Sequence, residues 1–155
     1  MKNRYYLILA CALFLNTIPV LAADISVENQ WIREAPPGAK ALGGFMTLNN
    51  HSDKDRYLVA ASSPAFAKIE LHRTEMVNGL AKMIHQPQVI VPSHGQTLFK
   101  PMDYHLMMMK PKQQLTDGDQ VPVTLSFKNG DSEQTTFVVK KMAMTGQSMH
   151  HMKMH

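Results

Sequence analysis

The sequence predicts a single all-β domain, an antiparallel sandwich or barrel, and three observations carry that expectation. Ten short segments rich in β-branched or alternating residues follow one another from Ile25 to Lys140. Gly, Pro, Asn and Asp punctuate them at short intervals. No stretch carries a 3.6-residue apolar period over helical length. Many short strands in a chain of 155 residues leave little room for anything else.

In order, Ile25–Arg33 opens the domain, and residues 44–49 and 57–62 follow across the turn-rich Asn50-His51-Ser52-Asp53. Residues 67–74 and Leu80–His85 flank Asn78-Gly79, a strong hairpin signal because a type I′ turn needs positive φ at both central positions. Three short segments come next, at 88–91, 96–100 and 105–110. Residues 121–127 read Val-Pro-Val-Thr-Leu-Ser-Phe, with apolar residues at every second position. Asn129-Gly130 is the second hairpin signal and leads into residues 134–140.

The ends differ from this middle. Lys2 and Arg4 precede an apolar run from Tyr5 to Leu15, and Val20-Leu21-Ala22-Ala23 supplies small residues for a cut after Ala22. That is a secretory signal pattern; a membrane span needs about 20 apolar residues, and this run breaks sooner. Ile8-Leu9-Ala10-Cys11 offers a lipoprotein cleavage site instead, but too short an apolar segment precedes the cysteine. The expected organisation is a signal peptide over 1–22, a β domain over 23–140 and a flexible tail over 141–155. Cleavage removes Lys2, Arg4 and Cys11, which takes the formal net charge from +4 to +2. So modest and scattered a charge does not suit nucleic acid. Without cysteine the exported chain has no disulfide, thiolate ligand or thiol nucleophile.

Methionine and histidine are the unusual entries, at 13 and 8 residues. Residues 142–155 hold five Met and three His in fourteen positions. Nothing there alternates or packs, so a disordered tail is expected. Its density of imidazole and thioether also makes it a metal-binding tract, in Met149, His150, His151, Met152, Met154 and His155.

Within the domain, His105, Met107 and Met109 share one face of a strand while Leu106 and Met108 take the other. A two-residue turn at Asn78-Gly79 sets Val77 against Leu80, Thr74 against Met83 and His72 against His85. His72 and Met83 are then diagonal neighbours about 7–8 Å apart, within reach of long side chains. The two groups together read His72, ten residues, Met83, twenty-one residues, His105, one residue, Met107. Two imidazoles and two thioethers suit Cu(I), a soft ion that needs no thiolate. Zinc gains little from Met, calcium and magnesium need oxygen, and blue copper needs a cysteine. His85, Met76, Met102 and Met109 remain possible further donors. His51 and His94 sit in turn-like segments and read as solvated loop residues, while Trp31 and Tyr57 read as core or corner residues.

The spacing His-x10-Met-x21-His-x-Met resembles the signature of the PCu(A)C-type periplasmic copper chaperones. The resemblance extends through Trp31-Ile32-Arg33 with Ala35-Pro36-Pro37-Gly38, the segment 43–49, Ser62-Ser63-Pro64, Glu70-Leu71-His72, Tyr104-His105-Leu106-Met107 and the segment 121–127. It implies a cupredoxin-like Greek-key sandwich and a Cu(I) site of His72, Met83, His105 and Met107. It also implies a periplasmic location and delivery to a copper-accepting protein, such as the copper A centre of cytochrome c oxidase or another copper chaperone. Family members with a Met/His-rich extension imply a second copper site in the tail, for Cu(I) or Cu(II). One departure stands out. The family pattern Pro-Gly-Gly-Tyr-His is here Pro101-Met102-Asp103-Tyr104-His105, which is expected to alter the loop before the third ligand.

No Ser-His-Asp elbow, P-loop or glycine-rich nucleotide motif occurs, so a carrier rather than an enzyme is expected. Sequestration of copper for resistance is the alternative to delivery.

Overall fold

The computed structural model describes residues 24–141, which form ten strands and no helix. They are β1 (Ile25–Arg33), β2 (Ala41–Asn50), β3 (Arg56–Ser62), β4 (Phe66–Val77), β5 (Leu80–His85), β6 (Val89–Val91), β7 (Gln96–Phe99), β8 (Tyr104–Pro111), β9 (Gln120–Phe127) and β10 (Ser132–Lys140). All ten expected segments are strands, with shifted ends. β2 starts three residues before the expected Gly44: Gly43 carries no side chain to signal a strand, yet Ala41, Leu42 and Gly43 pair with Met109, Met108 and Met107. The expected signal peptide over 1–22 and the segment 142–155 of the expected tail lie outside the described residues.

The strands run in the order β5-β4-β8-β2-β1-β10-β9-β3-β6, and pairing of Ala61 on β3 with Ile69 on β4 closes the middle seven into a barrel. β7 pairs with β2 beyond the stretch that β8 covers. The pairs are antiparallel except β1 with β10, which run parallel from Trp31 to Arg33. A bulge between Glu28 and Trp31, with Asn29 at φ 53°, bends β1 where this second partner joins. The expected all-β, Greek-key-like fold therefore stands, with one parallel junction in place of a wholly antiparallel arrangement.

The two hairpin signals resolve differently. Asn78 and Gly79 take φ of 52° and 76°, the two positive values of a type I′ turn, and the predicted pairing of His72 with His85 follows. At Asn129-Gly130 only the glycine has positive φ, at 93°. Gly130 N–H donates to Phe127 O, and Phe127 N–H donates to Asp131 O, which makes a three-residue loop with a glycine bulge. Asn129 spends its side chain on Asp131 instead, so the hairpin is right and its turn type is not.

Alternation sends Val121, Val123, Leu125 and Phe127 of β9 into the barrel, where they meet Phe137, Ile32 and Leu106. Gly44 lets β2 lie against β8, since a Cβ there would be 3.1 Å from Met108 Sδ. Among the described residues, the buried polar or charged side chains are Asn50, His72 and His105. Asn50 is fully engaged: its amide donates to Lys54 O and Val91 O, and its Oδ1 accepts from Ser52. The two histidines are not.

Candidate metal centre

Register across three neighbouring strands puts three histidines in a row. His72 on β4 lies opposite His85 on β5 and opposite His105 on β8. Directly opposed residues share a face, so all three point away from the interior that Leu71 and Leu106 enter. The His72 ring is 5.7 Å from His85, edge-on, and 5.9 Å from His105, at a 24° interplanar angle. His72 and His105 are 8% and 6% exposed, whereas β5 is exposed along its length.

Each buried imidazole offers a nitrogen with no protein partner. The ring nitrogen Nδ1 of His105 lies 3.0 Å from Asp103 O. A carbonyl only accepts, so Nδ1 carries the proton and Nε2 keeps its lone pair. That Nε2 is buried and unpartnered, as is Nδ1 of His72. A buried polar atom without a partner costs stability, about 1–3 kcal/mol, unless something absent from the chain binds it. These atoms fit a metal.

Asp103 O also accepts the Thr74 N–H, tying the loop before β8 to β4. The loop turns at Lys100-Pro101-Met102-Asp103, where Asp103 N–H donates to Lys100 O at 3.1 Å and Met102 has φ 66°. Proline second and positive φ third make a type II turn. Met102 thus holds a backbone conformation that glycine adopts without strain. Met102→Gly should relieve about 1–2 kcal/mol of left-handed strain, visible as a higher urea midpoint. An unchanged or lower midpoint would mean the 67% exposed side chain compensates in packing.

The thioethers flank the histidine pair. Met83 lies opposite Thr74, one diagonal step from His72, and Met107 lies opposite Glu70, a diagonal step the other way. Beside Met107 on β2, Gly43 leaves room that the Phe45 ring fills, 3.0 Å from where a Cβ would stand. Met83 is 62% exposed on the arm formed by β5, whose strand partner is β4. Closing both sulfurs on one ion requires the long thioether chains, and the arm, to fold toward the imidazoles. Among the described residues, no three His, Asp or Glu side chains already form a metal site.

Electrostatics favour neutral imidazole at the centre. Burial holds the His72 pKa below its ordinary 6.5; Glu70, with Oε2 3.6 Å from Nε2, pulls upward, and His105 and His85 reinforce the lowering. The Glu70 carboxyl itself is held low, chiefly by its hydrogen bond with Lys68. For His72 the unfolded chain binds the proton more readily, so its contribution to stability is present above pH 6.5 and is lost as pH falls toward the folded pKa. An NMR titration of the metal-free chain should place the His72 midpoint below 6.5. A midpoint above it would make Glu70, not burial, the controlling influence.

Other residues fall elsewhere. Met109 shares the outward face but lies opposite Lys68, and exposed Met76 lies opposite Ala81 near the turn. His51 contacts Ser26 Oγ and His94 contacts Asp53, both in exposed loops as expected. Trp31 is not in the core: it packs on Phe45, 4.6 Å between ring centroids, where the two face each other across β1 and β2. Sequence reading missed Glu70 and Asp103 O as neighbours of the imidazoles. The long-range pairing of β4 with β8 creates the His72–His105 contact, and no local pattern announces it.

Residues 25–139 match the family described as "Putative lipoprotein LpqE-like". "Putative lipoprotein Lxx21020" of Leifsonia xyli subsp. xyli is 29% identical over 120 residues, spanning 77% of this chain and 71% of that protein. The solution structure of Cu(I)-DR1885 from Deinococcus radiodurans superposes with a TM-score of 0.59 at 27% identity, covering 81% of each chain. A copper-bound PCuAC domain from PmoF2 superposes at 0.65, with 17% identity, over 77% of this chain and 95% of that one; at that identity it shows the fold. Among the described residues no helix is long and apolar enough to cross a membrane.

Proposed function

The chain belongs to the LpqE-like family and has the PCuAC-type fold, and from that premise we propose that it is an exported copper chaperone. It binds one Cu(I) through His72, Met83, His105 and Met107 and passes it by ligand exchange to a copper-accepting protein. The acceptor is the copper A subunit of cytochrome c oxidase or a second chaperone. The observation that carries the reading is the pair of buried, unpartnered imidazole nitrogens on one outward face, with a methionine on the diagonal to either side. The Cu(I)-bound DR1885 structure, 27% identical to this chain, supports the metal. The outward site suits handover, because the exposed arm leaves a path for an incoming ligand.

The Met/His-rich tail, through Met149, His150, His151, Met152, Met154 and His155, provides a second site for Cu(I) or Cu(II). It raises the concentration of metal near the first site, since a flexible tether gives roughly millimolar effective concentration when it reaches. Its composition also favours the second reading, sequestration. Export removes residues 1–22 and leaves the domain in the periplasm. Processing at Cys11, the site a lipoprotein would use, is distinguished by the mass of the exported chain.

The test compares the full chain with one ending at Lys140. Both should retain one Cu(I) against a competing chelator, and the full chain should take up an additional copper. Transfer to a copper-depleted acceptor should be faster with the tail. Equal stoichiometry overturns the tail site; extra copper with no transfer from either chain favours sequestration; no Cu(I) retained by the shorter chain overturns the core site.

A further inference from the structure

We infer that His85 is a ligand for the oxidised ion, so that His72 and His105 form a common base whose outer donor changes with the oxidation state of copper. The inference rests on the reading of this face as a Cu(I) centre. Cu(II) favours nitrogen and oxygen donors in tetragonal geometry, and thioethers serve it poorly. A site of two imidazoles and two thioethers therefore holds Cu(I) and releases Cu(II) unless another nitrogen is at hand. His85 is that nitrogen, directly opposite His72 with its ring centroid 5.7 Å away.

Three further features fit. Met83 and His85 are two residues apart on β5 and so share its face toward the site. The same arm thus carries a soft donor for one oxidation state and an imidazole for the other. The arm is an exposed edge strand paired with β4, the kind of element that moves at small cost. That freedom is required, because the three imidazoles stand in a row rather than around a point. Finally, Glu70 Oε2 lies 3.6 Å from His72 Nε2 and offers an oxygen beside the imidazoles. The loop histidines supply no comparable set, since His51 contacts Ser26 of β1 and His94 contacts Asp53 between β2 and β3.

The experiment uses the full chain with His150, His151 and His155 replaced by Gln in every sample, so that tail imidazoles do not contribute. One equivalent of Cu(II) is added, and electron paramagnetic resonance with nitrogen hyperfine analysis counts coordinated imidazoles. Cu(I) affinity is measured in parallel, without oxygen, by chelator competition. The parent should show three imidazoles on Cu(II). His85→Gln should show two and bind Cu(II) about 10–100-fold more weakly, with Cu(I) affinity changed much less. Met83→Ala should do the reverse. Since His85 lies on an exposed edge strand, its replacement leaves the barrel intact. An unchanged imidazole count in His85→Gln, or no stoichiometric Cu(II) in a parent that binds Cu(I), overturns the inference alone. A parent that binds neither ion overturns the Cu(I) reading with it.

Discussion

His72→Leu is expected to make the metal-free chain more stable while removing its Cu(I) binding. The imidazole is 8% exposed, and its Nδ1 has no partner. Leucine keeps the bulk and removes an unpaired buried group, which costs about 1–3 kcal/mol when left unsatisfied. The urea midpoint at pH 7.5 should therefore rise. It should rise further below pH 6.5, because the parent loses the stability linked to its lowered His72 pKa and the variant has no such group. Cu(I) affinity should fall by more than the roughly 10–100-fold typical of losing a ligand's supporting partner. A less stable variant would mean that the imidazole packs for structure, and the reading of its bare nitrogen as a metal donor would lose its physical basis.

Phe137→Ala is expected to have the largest effect on folding. Phe137 is fully buried on β10, opposite Val121, in the strand that joins β1 to β9 and completes the barrel. Emptying that position should cost about 3–5 kcal/mol, out of a total of about 5–15 kcal/mol for a typical domain. Folded molecules should still hold Cu(I), since the donors lie on β4, β5 and β8. Copper should then restore part of the loss, by about 2.7 kcal/mol at a free concentration 100 times the dissociation constant. Copper should not raise the midpoint of His72→Leu in the same way. If copper shifts both midpoints equally, the stabilising ion is bound somewhere other than the histidine pair.

Much of the architecture was legible because burial follows local pattern. Val121-Pro122-Val123-Thr124-Leu125-Ser126-Phe127 announces a strand with one buried face, and Asn78-Gly79 announces both the hairpin and its register. That register was enough to set His72 against His85 before any fold was known. Where side chains fell silent the reading stopped short, as at Gly43, which the Phe45 ring covers, one residue before Gly44 lets β8 approach. Asn129-Gly130 misled on turn type because the asparagine side chain bonds to Asp131 and a bulge follows. For Trp31, read as core or corner, the fold excludes the core: it covers Phe45 on the outward surface instead of filling the barrel. The contact between His72 and His105 depends on β4 meeting β8 across 33 positions of sequence, which no periodicity specifies. Family spacing pointed to those two residues, and the fold supplied the reason they belong together.

The most direct test of the account is X-ray absorption at the copper edge on the chain loaded with one equivalent of Cu(I). The account predicts a mixed first shell of two nitrogens and two sulfurs. Met83→Ala and Met107→Ala should each remove one sulfur and leave the nitrogens, while His105→Ala should remove one nitrogen. A shell made wholly of sulfur or wholly of nitrogen, or one that none of these three substitutions alters, would contradict it.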